Sequence, residues 1–78
     1  MYYVYLLKLK NGDYYAGVSD RLKERLNEHI TGQVDSTKNF RPLSLECYIA
    51  LKDKTTALKL EKYLKTGSGI AFRNKHLI

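Results

Sequence analysis

The sequence predicts an α+β fold, a three-stranded antiparallel sheet with helices packed on it in the order ββαβαα. Three observations lead there. Two β-prone, tyrosine-rich runs flank the pair Asn11-Gly12, the strongest short hairpin signal. Two segments of helical period each run toward a glycine, Gly32 and Gly67. A third β-prone run, following Pro42, lies between them.

Residues 2–9 are apolar on both parities, so they form a central strand covered on both faces. Residues 13–18 return as its antiparallel partner. Ser19 or Asp20 caps a helix reaching about Ile30, in which Leu22, Leu26 and Ile30 recur every four residues and Gly32 is the stop. Residues 33–41 are polar and irregular, and basic at their end. From Pro42 the chain enters a third strand over 43–51, carrying Leu45, Cys47, Tyr48 and Ile49. Asp53 or Thr55 caps a second helix to about Lys65, ended by Gly67. A short helix over 69–77 closes the core with Ile70, Phe72 and Leu77.

Seventy-eight residues, 44% of them apolar, read as one domain over 1–78, near the lower limit at which a single core holds without staples. The lone cysteine, Cys47, excludes an internal disulfide and suggests a small buried hydrophobe in a reducing compartment. Without a bilayer-length apolar run, and with a start, MYYVY, that lacks a basic leader, the expectation is a cytoplasmic protein with no membrane partner. The net charge of +6, from 14 Lys+Arg against 8 Asp+Glu, points to a polyanion.

Several residues depart from ordinary patterning. At about 100° per residue, His29 lies within about 20° of Leu22, inside the apolar stripe of the first helix, and Arg25 sits at its edge one turn earlier. Such a pair reads either as a snorkelling arginine beside a satisfied core histidine or as two groups aimed into a cleft. In the second helix Glu61 sits among Ala57, Leu58, Leu60 and Leu64. A carboxylate so placed is costly unless it is paired, metal-bound or in a solvated cleft. Arg25 or another cation is its structural partner in the plainer reading.

Taken in order, these residues complete a pattern. Tyr3-Val4-Tyr5 and, ten residues later, Tyr15-Ala16-Gly17 are followed by Arg25, His29 and Glu61, and the whole chain, through KNFRPLSLECY and EKYLKTGSG, resembles a minimal GIY-YIG nuclease domain. It is most similar to the small stand-alone bacterial members. Tyr3 stands where the family motif begins with glycine. Val18 follows the second tripeptide where some relatives carry a lysine that could contact phosphate, and Asn74 is a candidate for the family's C-terminal asparagine.

The resemblance implies a divalent-metal-dependent phosphodiesterase acting on DNA. By similarity, Tyr5 takes the proton of the attacking water, assisted by His29, because a phenol with a pKa near ~10 needs help. Arg25 suits two phosphate oxygens. Tyr15 hydrogen-bonds phosphate or water, and Gly17 lets the backbone approach. Glu61 holds one Mg²⁺ or Mn²⁺ beside the leaving 3′ oxygen, with water filling most other positions. Lys23, Lys38, Arg41 and Lys65 are candidate backbone contacts.

Strand register tests this assignment. A two-residue type I′ turn at Asn11-Gly12 puts Tyr5 and Tyr15 on opposite faces. A three-residue loop, Lys10-Asn11-Gly12 with Gly12 left-handed, pairs Leu7 with Tyr15 and Tyr5 with Gly17, so both phenols share one face with space for a phosphate over Gly17. The bulged loop is the expectation. Tyr2, Tyr3 and Tyr14 are assigned to packing.

The leading function is therefore a metal-dependent DNA endonuclease that is structure-selective or has little sequence preference. So small a surface suggests a homodimer or protein partner for cutting both strands. The alternatives are a catalytically weak or inactive nucleic-acid-binding module and a small interaction subunit of a nuclease complex.

Overall fold

The computed structural model describes every residue from Met1 to Ile78. Strand β1 (Tyr2–Lys8) lies at the centre of an antiparallel sheet of order β2-β1-β3, with β2 at Tyr14–Ser19 and β3 at Ser44–Leu51. Helix α1 spans Leu22–Ile30, α2 Lys54–Tyr63 and α3 Gly67–His76, and a 3₁₀ turn occupies Lys38–Phe40. The expected α+β class and element order are as observed.

The hairpin has the bulged loop. Leu9 N–H donates to Asp13 O at 2.8 Å and Gly12 N–H to Leu9 O at 3.0 Å, with Gly12 at φ 88°. A side chain at that φ would be strained. The resulting register sets Tyr5 opposite Gly17 and Leu7 opposite Tyr15. A second irregularity falls in β3, where Leu6 pairs with Cys47 but Leu7 pairs with Leu45. Glu46 is the extra residue, and the bulge turns Leu45 onto the same face as Tyr3, Tyr5 and Tyr48.

Each face of the sheet has its own cover. Val4, Leu6 and Ala16 pack against Ala57 and Leu64 of α2, with Tyr2, Val18, Cys47, Leu51, Leu60 and Leu77 around them. The opposite face carries Tyr3, Tyr5, Leu7 and Tyr15 and lies beneath α1 and the chain that follows it.

Element boundaries and packing depart from expectation at several points. Arg21 is the N-cap of α1 and makes no side-chain cap, since a guanidinium has no acceptor; the Ser19 hydroxyl instead accepts Arg21 N–H at 3.0 Å in a turn before the helix. Ile30 lies in the open, and His29 completes the inward stripe; the wheel angle of Ile30, about 80° from Leu22, carries it off the sheet. Gly67 does not stop α2. Thr66 caps α3 by accepting Gly69 N–H at 3.1 Å, and Gly67 is the first residue of that helix.

The glycine that matters there is Gly69, where a Cβ would fall 1.6 Å from the Tyr63 carbonyl oxygen. Ile70 and Phe72 are exposed, and Phe72 packs against Tyr63 and His76 rather than in the core; only Leu77 of the expected trio reaches it. Leu58 likewise faces outward. Strand β3 begins at Ser44, two residues after Pro42.

Candidate active site

Helix α1 runs across the Tyr5 face and lowers His29 onto the sheet. Tyr5 is 1% exposed and His29 0% exposed. The Tyr5 hydroxyl and His29 Nε2 share a hydrogen bond of 2.9 Å. On its other side His29 Nδ1 shares one of 2.8 Å with the hydroxyl of Thr37, which is fully buried. Both ring nitrogens are thus satisfied, as a buried imidazole requires. The Tyr15 ring meets the same imidazole edge-on, centroids 5.3 Å apart, and its hydroxyl accepts from Ser36 Oγ at 3.4 Å. Thr37 and Ser36, both from the polar segment after α1, complete a cluster in which the sequence reading found only Tyr5, Tyr15 and His29.

Gly17 has a different role from the one expected. A Cβ there would lie 2.4 Å from both Cζ and Oη of Tyr5, so the phenol ring crosses the strand where glycine leaves room. The space over Gly17 holds Tyr5 and is not open to a phosphate. Tyr5 and His29 accordingly lie beneath the surface, while Tyr15 and Arg25 reach partway to solvent.

Burial sets the protonation of the pair. It pushes the Tyr5 phenol above its ordinary value, with Arg25 nearby acting in the opposite direction. Burial also lowers the His29 imidazole, and the Arg25 charge lowers it further. Near neutral pH a neutral phenol therefore faces a neutral imidazole. With Nδ1–H donating to Thr37, Nε2 is free to accept the Tyr5 proton. Burial also raises the Cys47 thiol, which argues against a cysteine nucleophile.

Arg25 pairs with Glu28, Nη1 to Oε1 at 2.8 Å, on a half-exposed rim. Ser19, Arg21, Glu24, Arg25 and Glu28 line a polar groove there. Glu61 is not the partner of Arg25. Its side chain, 13% exposed, forms an ion pair with Lys65, four residues on and just past the end of α2. The Lys65 ammonium in turn stands 5.7 Å from the centroid of the Tyr15 ring. Glu61 thus joins the tyrosine cluster through Lys65, from the helix layer on the other face of the sheet.

Among the remaining candidates, Lys23 is exposed beside a second groove. Lys38 pairs with Asp35 at 3.3 Å. Arg41 donates to Lys38 O at 3.0 Å and to Ile30 O at 3.4 Å. Its guanidinium covers Gly32, so it fastens the loop to the end of α1. Val18 packs at the edge of the core, and Asn74 accepts from Arg73 Nε at 3.2 Å on exposed α3.

The donor set suits only one kind of cation site. No cluster of three His, Cys, Asp or Glu side chains is present, which rules out a closed protein cage of the zinc type. A single sheltered carboxylate fits a hard cation that keeps most of its water, and Glu61 would have to exchange Lys65 for it.

The chain and its fold have counterparts in known proteins. The chain is 35% identical over 68 residues to a UPF0213 protein of Staphylococcus saprophyticus, covering 86% of this chain and 83% of that relative. It is 35% identical over 63 residues to one from Neisseria meningitidis, covering 80% of this chain and 69% of the other. The solution NMR structure of a UPF0213 protein from Bacillus halodurans superposes with a TM-score of 0.61 over 96% of this chain and 84% of that one, at 25% identity. With the GIY-YIG catalytic domain matching residues 1–72, and with paired tyrosines on one sheet face beneath a helix bearing arginine and histidine, this chain belongs to the GIY-YIG family of nuclease-type domains.

Proposed function

We propose that the protein is a divalent-metal-dependent DNA endonuclease, selective for branched, nicked or damaged DNA or nearly indifferent to sequence. The observation that carries this reading is the buried Tyr5–His29 hydrogen bond of 2.9 Å, set close to Arg25. Phosphodiester hydrolysis needs a proton acceptor for water, charge to balance the crowded phosphorus, and help for the leaving oxygen. His29 can draw the proton from Tyr5 as Tyr5 receives one from a water that would have to enter beside the part-exposed Arg25, since Tyr5 itself lies beneath the surface. Arg25, released from Glu28, would clamp two phosphate oxygens with its forked guanidinium. Tyr15 would orient the water or the phosphate from the adjoining strand. A divalent cation on Glu61 would supply positive charge at the departing 3′ oxygen.

Lys65 gives a specific reason for a second reading. An ammonium already neutralises Glu61, so the domain would bind DNA without cutting it if a cation cannot displace Lys65. The test is a panel of labelled duplex, single-stranded, flap and four-way DNAs with Mg²⁺ or Mn²⁺, with and without EDTA. Cleavage should require the metal, and Arg25→Ala should lower it on the order of 10²-fold or more while melting is unaltered. A variant that cuts as well as the parent would remove Arg25 from the site. Salt-sensitive binding without any cleavage would favour the second reading.

A further inference from the structure

A groove of about 500 Å³ opens between the first half of α1 and the β1/β3 half of the sheet. Tyr3, Tyr48, Leu22, Leu26 and Leu45 give it an apolar floor. The β3 bulge brings Leu45 to that floor, and Tyr3 stands at the motif position usually held by glycine. The rings of Tyr3 and Tyr48 meet edge-on, centroids 5.9 Å apart at 68°. Tyr48 nevertheless remains 53% exposed, which leaves surface for another ring.

The charges at the rim decide what kind of group fits. Arg21 and Lys23 are offset by Asp20 and Glu24, so a run of phosphates gains little there, whereas a neutral planar group beside a single phosphate is well matched. Arg21 and Glu24 also belong to the polar groove that contains Arg25. One wall therefore separates the apolar groove from the candidate phosphate clamp.

We propose that this groove receives one unpaired nucleobase of a DNA strand whose phosphate lies at Arg25, with Tyr48 as the stacking platform and Arg21 or Lys23 on the neighbouring phosphate. This rests on the nuclease reading above and refines its substrate to DNA bearing an unpaired nucleotide next to the scissile bond. Stacking on an aromatic face suits any base, so selection would be for structure rather than sequence.

The test compares two labelled DNAs, a continuous duplex and the same duplex with one unpaired 2-aminopurine at a nick, both in Ca²⁺ or EDTA to prevent cutting. The parent should bind the unpaired form on the order of 10-fold more tightly and quench the 2-aminopurine. Tyr48→Thr, which keeps a β-compatible residue on the edge strand, should bring the affinity ratio toward one and abolish the quench. Tyr48→Phe should restore both. Equal affinities in the parent, or a ratio that survives Tyr48→Thr, would overturn the base-binding groove while leaving the nuclease reading intact. Absence of DNA binding of either kind would overturn both. A parent that self-associates through this face, with Tyr48→Thr monomeric and the affinity ratio unaffected, would assign the groove to a second copy of the chain instead.

Discussion

The two faces of the sheet are made by the same strands, yet one is held by aliphatic volume alone and the other, around the buried Leu7, by a chain of hydrogen bonds as well. Beneath α2, Val4, Leu6, Ala16, Ala57 and Leu64 form an aliphatic cluster, in which each side chain contributes through burial and close packing. Beneath α1, the fully buried groups include Tyr5, His29 and Thr37 joined in one chain of hydrogen bonds. Every buried polar side-chain atom has a partner. A polar layer so arranged contributes less net stability than an aliphatic one, because each bond replaces one to water. What it adds is a fixed hydrogen-bond geometry, the one the proposed proton transfer needs, and a 78-residue chain can carry that layer because the opposite face supplies much of the cohesion.

This contrast has measurable consequences. The largest effect is expected from the aliphatic face. Leu6→Ala should cost about 2–5 kcal/mol, enough to unfold much of a domain this small at ambient temperature, whereas denaturant melts showing a loss below ~1 kcal/mol would mean that α2 can close over the gap. Next is Gly17→Ala. The added methyl must displace the Tyr5 ring, at about 1–3 kcal/mol. Cleavage should fall further than that stability loss explains, since Tyr5 would be turned away from His29. If the variant melts lower but cuts normally, Tyr5 is packing rather than chemistry.

The smallest effect concerns pH. His29 has a folded-state pKa below its ordinary 6.5, so the unfolded chain takes up its proton first as pH falls. Its contribution to stability is therefore complete above about 6.5 and is lost on acidification toward the lower folded value. Asp53, whose carboxylate accepts Thr56 N–H at 2.8 Å as the α2 cap, has its pKa lowered by that bond. It adds a further loss only as pH falls below the ordinary carboxylate value of 3.8. Melting temperature should decline between neutrality and pH 5, and the His29 ring resonances should titrate with a midpoint below 6.5. A midpoint above neutral pH would mean that the imidazole is charged in the fold, leaving it unable to accept a proton from Tyr5.

Much of this arrangement could be read from local patterns. Asn11-Gly12 marks the hairpin but allows two registers, since residues 2–9 are apolar on both parities; the requirement that Tyr5 and Tyr15 share a face is what selects the Tyr5–Gly17 pairing, because side-chain direction in a strand has a period of two. The wheel position of His29 determines that it faces the sheet, and the run around Glu61 marks it as sheltered. Other features depend on contacts between distant segments, which no local period encodes. Thr37 and Ser36 lie in an irregular segment, and only the return of that loop under α1 brings their hydroxyls to His29 and Tyr15. Lys65 was legible as an i,i+4 partner of Glu61, but its place over Tyr15 depends on how α2 crosses the sheet. The use of Gly17 to admit a phenol, and the diagonal contact of Tyr3 with Tyr48, which pair with Ala50 and Tyr5 respectively, follow from cross-strand pairing. Tertiary structure decided these because a side chain's neighbour across the sheet is chosen by register and bulge, whereas its direction is chosen by its own strand.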